Sequence, residues 1–305
     1  MTPDNQKLYQ NLHTRALVLN AVREFFSTRG FLEVETPVRC PGIIPEAHID
    51  PVKSEGWFLQ ASPELCMKRL MSRGFKHIFQ ICRCFRRQER GTRHLPELTL
   101  LEWYSAGRTW LDLMDQCQDL IRFTASRLDM QGRLRYQGQT IDLEPPWQRL
   151  EISRAFDKFS DKSIESALAD GDFDEILSFK IEPHLGRSTP VFLTDYPAQL
   201  ASLARLNPEN SSYAQRFELY IAGIELANAF TELNDPEEQK SRFQEENRLR
   251  VLQGKPALPM PAKFLADLET MPDAAGIAMG IDRLVMLFCD SPSIDDVVAF
   301  TPETL

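Results

Sequence analysis

Residues 85–94, Phe85-Arg86-Arg87-Gln88-Glu89-Arg90-Gly91-Thr92-Arg93-His94, place four arginines and a histidine within ten positions. Guanidinium groups grip phosphate oxygens two at a time. A loop presenting Arg86, Arg87, Arg90 and Arg93, with His94 when protonated, therefore suits a polyphosphate. A solvated basic loop has the same composition, and the run alone does not separate the two. A second constellation lies in RFELYIAGIELANAFTEL, residues 216–233. A two-residue turn at Ala222-Gly223 sets Ile221 opposite Ile224, Tyr220 opposite Glu225 and Glu218 opposite Ala227. Glu218 and Glu225 then become diagonal neighbours on one face, within reach of a shared divalent ion. Without an ion, like charges this close repel unless the face is open to solvent. Simple alternation puts Asn228 and Glu232 on the other face, so a bulge is needed to bring them into the same site. The third is Gly276-Ile277-Ala278-Met279-Gly280-Ile281-Asp282-Arg283. Its glycines allow a ligand close to the backbone. Arg283 falls in the first turn of a helix, where a cation opposes the macrodipole. A nearby anion or aromatic base accounts for it, and so does a surface arginine beside an Asp282 cap.

The elements that must position these groups are legible in outline. Residues 6–29 read as a helix, with Leu12, Ala16, Leu19, Val22 and Phe26 at helical spacing and Gly30 as its C-terminal cap. Phe31 to Glu35 reads as a strand ended by Pro37, and Trp57 to Ala61 as a short strand. Ser62-Pro63-Glu64 opens a helix, with Ser62 as N-cap and Pro63 at the first helical position. Residues 77–85 and 98–104 are strands around the basic loop. Residues 111–128 form an amphipathic helix, and 130–190 are uninformative. Asp235-Pro236-Glu237-Glu238 starts a polar helix running to about 252. GIAMG is a strand leading into the helix IDRLVMLFC. Antiparallel strands close in sequence, with helices between them, predict an α+β fold: a sheet of six or seven antiparallel strands flanked by helices.

Composition narrows the function classes. The net charge of −9 disfavours a general nucleic-acid binder. The six cysteines, Cys40, Cys66, Cys82, Cys84, Cys117 and Cys289, show no CxxC spacing. They read as reduced thiols, with Cys82 and Cys84 as small residues on a strand, rather than as a disulfide framework or zinc site. The N-terminus has no apolar core of a signal peptide, and no apolar run is long enough to span a bilayer. The expectation is a cytoplasmic protein without a membrane partner.

The order and spacing of the three constellations resemble the three motifs of the class II aminoacyl-tRNA synthetases. Gly30-Phe31-Leu32-Glu33-Val34-Glu35-Thr36-Pro37 is similar to motif 1, residues 82–104 to motif 2, and GIAMGIDRLVML to motif 3. Ala61-Ser62-Pro63-Glu64-Leu65 and FELYIAGIELANAFTELNDPEEQ resemble the amino-acid-binding segments of the lysyl-type members. The resemblance covers nearly the whole chain. It implies one catalytic domain over 1–305, paired as a homodimer through motif 1. The anticodon-reading OB domain of lysyl-tRNA synthetases is not recognised in it, which is similar to the elongation factor P lysine ligases. There, lysine or β-lysine is adenylated with ATP and Mg²⁺ and passed to a lysine of elongation factor P. Ala278 stands where the synthetases have Gly, and its methyl would reshape the pocket for a shifted amino group.

By the same resemblance, Arg86 and Arg283 are the catalytic arginines on the ATP phosphates. Gln88, His94, Glu225, Leu226 and Gly280 complete the nucleotide site. Glu218 and Glu225 hold Mg²⁺. Ser62, Pro63 and Glu64 meet the near ammonium of the substrate, and Tyr104, Glu232, Asn228 and Ala278 its far end. Five positions depart from the family pattern, the first being Arg87 in place of Asn. Gln88 replaces Glu, Leu95 replaces Asn, Leu98 replaces Phe and Ala229 replaces Gly. Each lost hydrogen bond is expected to weaken ATP binding by about 1 kcal/mol. Amino-acid-activating ligases with a small-molecule acceptor, and a non-catalytic amino-acid sensor, are the competing expectations.

Overall fold

The computed structural model describes residues 2–305. Helix α1 (Pro3–Ser27) starts earlier than the apolar periodicity, because Thr2 accepts from the Asn5 amide at 3.3 Å and Pro3 occupies the first turn. The further helices packed around the main sheet and its cleft are α2 (Glu64–Met71), α3 (Trp110–Arg127), α4 (Pro236–Leu252), α5 (Ala262–Leu268) and α6 (Ile281–Phe288). Asp235 caps α4, accepting from the amides of Glu237 and Glu238 at 3.0 Å each. At α2 the expected cap is shifted by one residue. Pro63 is the boundary residue, and the Ser62 hydroxyl accepts from the Glu64 amide at 3.1 Å.

The main sheet contains β1 (Leu32–Glu33), β2 (His77–Phe85), β3 (Glu97–Ala106), β4 (Gln148–Glu151), β5 (Val191–Thr194), β6 (Arg216–Ile221), β7 (Ile224–Thr231) and β8 (Ala274–Gly280). Their spatial order is β1-β2-β3-β8-β7-β6-β5-β4. The six central strands are antiparallel as expected. Each edge adds a strand that pairs parallel, β1 on β2 and β4 on β5. β1 is the two-residue core of the strand expected over Phe31 to Glu35, while β4, four residues long, is too short to show a period of two.

Alternation along the central strands divides the sheet into two chemically different faces. Phe79, Leu101, Trp103, Phe217, Leu219, Ile277 and Met279 point to one side and join Val22, Phe25 and Phe26 of α1, Leu113, Leu120 and Ile121 of α3, and Leu284 and Val285 of α6 in the main core. The opposite side carries Glu102, Tyr104, Arg216, Glu218, Glu225 and Asn228. It is closed at one end by Met67 and Met71 of α2 with Phe243 of α4 and Phe264 of α5. A smaller core under β4 and β5 holds the region from 152 to 185, which the sequence left undescribed. No helix among the described residues is long and apolar enough to cross a membrane, and all six cysteines are free.

Candidate active site

The polar face of the sheet floors a cleft of about 990 Å³. The row across the floor follows from register: Glu102 lies opposite Ala278, Ala278 opposite Asn228, and Asn228 opposite Glu218. That register corrects one sequence expectation. Tyr220 does oppose Glu225, but Leu219 then opposes Ala227 and Glu218 opposes Asn228, not Ala227. Leu226 is the extra residue of a bulge. Glu225 and Asn228, three apart in sequence, therefore reach the same face. The turn beneath is as expected, with Ala222 and Gly223 both left-handed at φ 58° and 73°.

At one end of the cleft the cations converge. Arg86 sits beside Glu89 at 3.6 Å, and its buried Nε has no hydrogen-bond partner among the described residues. A buried N–H without a partner is costly unless a ligand completes it. Arg283 is anchored by the Glu225 carboxylate at 3.1 Å and the Glu225 carbonyl at 2.7 Å, so it is not a free surface arginine. Asp282 turns away, pairing with Arg15 at 2.7 Å and accepting from the Thr99 amide at 2.7 Å. His94 lies 2.6 Å from an Arg283 N–H group. Its own nitrogen must accept there, so the ring is neutral. Partial desolvation and then the guanidinium hold its pKa below the usual histidine range. His94 is thus not one of the cations. Arg90 and Arg93 are also diverted: Arg90 pairs with Asp295 and Glu303 at 2.9 Å, and Arg93 donates to the Gly223 carbonyl at 2.8 Å. Of the basic loop, Arg86 is the arginine turned to the cleft with an uncommitted group.

The opposite end is acidic. Glu102 was not singled out from the sequence, although a glutamate inside the apolar run LTLLEWY is a signal. It is buried, accepts from the Ser62 hydroxyl at 2.6 Å and the Tyr104 hydroxyl at 2.9 Å, and burial with the nearby Glu64 charge pushes its carboxyl up to about 8. Glu64 lines the cleft. Glu232 is fully buried behind Tyr104 and Gly276, where burial pushes it up to about 8. Its ion-pair partner is not a ligand but Lys68, a residue that sequence reasoning missed. The Lys68 ammonium bridges Glu64 and Glu232 with no exposed side-chain surface. Those two carboxylates outweigh its burial and hold it charged. A methyl at Gly276 would overlap both Tyr104 and Glu232. A methyl at Gly280 would meet only the Arg283 side chain, at 3.7 Å, so the backbone there is open to a ligand. Ser62, Gln88, Leu226 and Ala278 also line the cleft. Pro63 opens α2 beside them.

Glu218 is held by four groups: the hydroxyls of Tyr196 and Tyr220, Arg216 at 2.7 Å and the Asn228 amide at 3.5 Å. Burial and then the charge of Glu225 push its carboxyl upward. Among the described residues no group of three or more acidic, histidine or cysteine side chains forms a metal cluster. Two carboxylates that repel each other still fit a Mg²⁺ that takes its remaining ligands from phosphate and water.

Comparison with known proteins gives the family. A family model described as tRNA synthetases class II (D, K and N) matches residues 1–304. The elongation factor P–(R)-β-lysine ligase of Klebsiella pneumoniae (strain 342) is 38% identical over 308 residues, covering 95% of this chain and 94% of that protein. The protein of the same name from Salmonella gallinarum is 38% identical over 310 residues, with the same coverage. That from Pectobacterium carotovorum subsp. carotovorum is 37% identical over 312 residues, covering 96% and 95%.

Proposed function

The chain belongs to the class II tRNA synthetases of the D, K and N group, and from that premise we propose that it adenylates a lysine-type diamino acid, (R)-β-lysine first, and passes the acyl group to a lysine of elongation factor P. The observation that carries this reading is the buried acidic end of the cleft. Glu64, Glu102 and Glu232 set three carboxylates against the single ammonium of Lys68. With all three ionised, as a bound diammonium substrate would hold them, two negative charges remain for its two ammonium groups. A neutral side chain would leave them unpaired, a strong basis for discrimination.

In this reading the substrate ammonium groups meet Glu64 and the Glu102–Tyr104 pair, with Asn228 and Ala278 beneath. Glu232 acts from behind, through Lys68. The substrate carboxylate is thereby aimed at the arginine end. Arg86 and Arg283 hold the ATP phosphates, with Gln88, His94, Leu226 and Gly280 around the nucleotide. Glu218 and Glu225 would hold Mg²⁺, which supplies charge neutralisation on the phosphates. A carboxylate oxygen attacks the α-phosphorus in line, pyrophosphate leaves, and no covalent enzyme intermediate is required. The residues contribute position and fixed charge. An amine then attacks the acyl carbon and AMP leaves. Residues 1–305 act as one catalytic domain. The same reading pairs two chains around α1 and β1, where Tyr9, Leu17, Leu32 and Val38 expose apolar surface.

The experiment is mass spectrometry of elongation factor P after incubation with this protein, ATP and (R)-β-lysine. An ATP-dependent β-lysyl mass gain on one lysine is expected. Adenylate formation with no modified elongation factor P would favour a small-molecule acceptor instead.

A further inference from the structure

Glu46 lines the same cleft as Arg86, Glu64 and Arg216, yet no step above uses it. It sits on the loop between the short strands Arg39–Cys40 and Val52–Ser54. That loop is held rigidly. The Ala47 amide donates to Glu246 at 2.8 Å, and buried Arg250 donates to the carbonyls of Glu46 at 2.7 Å and Ile49 at 3.0 Å. Lys255 donates to the Ala47 carbonyl at 3.0 Å, and the Arg87 amide to the Asp50 carbonyl at 2.8 Å. The last bond ties the loop to the strand end that carries Arg86. With its backbone fixed on every side, the Glu46 carboxylate itself has no hydrogen-bond or ion-pair partner among the described residues. Its charged surroundings are Arg86 from the loop just after β2, Glu64 from α2, Glu246 from α4 and Arg216 from β6. Burial pushes the carboxyl up to about 7, opposed by Arg86 and Arg216 and reinforced by Glu64 and Glu246.

The acceptor in the ligase reading is a lysine side chain, which is an ammonium at neutral pH and cannot attack until it loses a proton. We propose that Glu46 is the general base of the transfer half-reaction, taking that proton as the amine meets the acyl-adenylate beside Arg86. The inference rests on the ligase reading above. In the step, one N–H bond of the acceptor ammonium breaks and its proton goes to the Glu46 carboxylate. The freed nitrogen lone pair forms the C–N bond. The bond from the acyl carbon to the phosphate oxygen breaks and AMP leaves with that electron pair. The second nitrogen proton passes to the departing phosphate or water. A carboxyl that titrates near the working pH is matched to this task. A permanently ionised surface glutamate would be a weaker base.

The test is Glu46→Gln in the full chain, with three readouts: ATP–pyrophosphate exchange, single-turnover transfer from preformed adenylate to elongation factor P, and trapping of the same adenylate by hydroxylamine. Hydroxylamine is already uncharged at neutral pH and needs no base. The expected result is exchange within a few-fold of the parent, hydroxylamine trapping likewise, and transfer to elongation factor P slowed by roughly 10²-fold or more. The parent's transfer rate should rise with pH and level off above about 7, whereas Glu46→Gln, left to the free-amine fraction of the acceptor, should keep rising with no break there, and Glu46→Asp should partly restore the break. Transfer at the parent rate in Glu46→Gln would overturn the inference while leaving the ligase reading intact. So would a raised amino-acid KM in exchange with transfer reduced only in proportion, because Glu46 would then be an ammonium ligand. A parent chain that catalyses no exchange at all would overturn both.

Discussion

Lys68 is enclosed between the carboxylates of Glu64 and Glu232, and the energetics of such a group are asymmetric. A buried ion pair adds little net stability, but removing one partner leaves an uncompensated charge that costs about 3–5 kcal/mol. Lys68→Met should therefore lower the unfolding free energy by about that amount, and Lys68→Met with Glu232→Gln should recover most of it. Denaturant unfolding of the two variants measures this; equal losses in both would show that the pairing carries no stability. Gln88 poses a different question at the same scale. It stands where the family has Glu, on a left-handed residue at φ 67° facing the cleft. Restoring the charge with Gln88→Glu should strengthen one hydrogen bond to the nucleotide by about 1 kcal/mol, a roughly fivefold lower ATP KM. An unchanged KM would mean that the adenine amino group does not reach this residue.

Strand β8 sets the depth of the pocket, because Gly276 and Ala278 are the two floor positions where side-chain size decides what fits. Tyr104 and Glu232 already fill the space above Gly276. Gly276→Ala should therefore displace them, weakening amino-acid binding without a matching effect on ATP; KM values for the two substrates separate these. Ala278 lies between Glu102 and Asn228 on neighbouring strands. Ala278→Gly should move the preference from β-lysine toward α-lysine by about tenfold, the usual worth of one methyl in a pocket. Competition of the two amino acids in exchange reads that ratio. This scale also shows where the sequence was informative. The helix from Leu12 to Phe26, the hairpin turn at Ala222-Gly223, and the strand-to-helix junction at Gly280 were legible because each is specified by local pattern or turn chemistry. The Leu226 bulge was not, since alternation predicts register only for an unbroken ladder. Lys68 and Glu102 were hidden for a related reason. A charged residue in a helix or strand reads as solvent-facing until the tertiary structure encloses it. Edge strand β1 was legible within the expected Phe31–Glu35 strand, whereas edge strand β4 depends on a neighbour far away in sequence.

At the scale of the molecule, the sheet separates an apolar core from a cleft with an arginine end and an acidic end, and that polarity links substrate binding to protons. Glu102 and Glu232 have carboxyls pushed up to about 8 from an ordinary value of 4.5. Between those two values the folded chain without substrate holds more protons than the unfolded chain, so its stability should fall as pH rises across that window and level off above it. A diammonium substrate replaces those protons. Its binding at pH 7 should release protons, measurable by calorimetry in two buffers of different ionisation heat; proton uptake would reverse the assignment. The central claim is that the acidic end selects a two-ammonium substrate for adenylation. Its most direct test is ATP–pyrophosphate exchange with (R)-β-lysine, compared with an analogue of the same length lacking the terminal amine, in the parent chain and in Glu102→Gln. The account predicts strong exchange with (R)-β-lysine, loss with the analogue, and marked weakening in the variant through amino-acid KM. Equal exchange with both substrates, or none with (R)-β-lysine from folded protein, would contradict it.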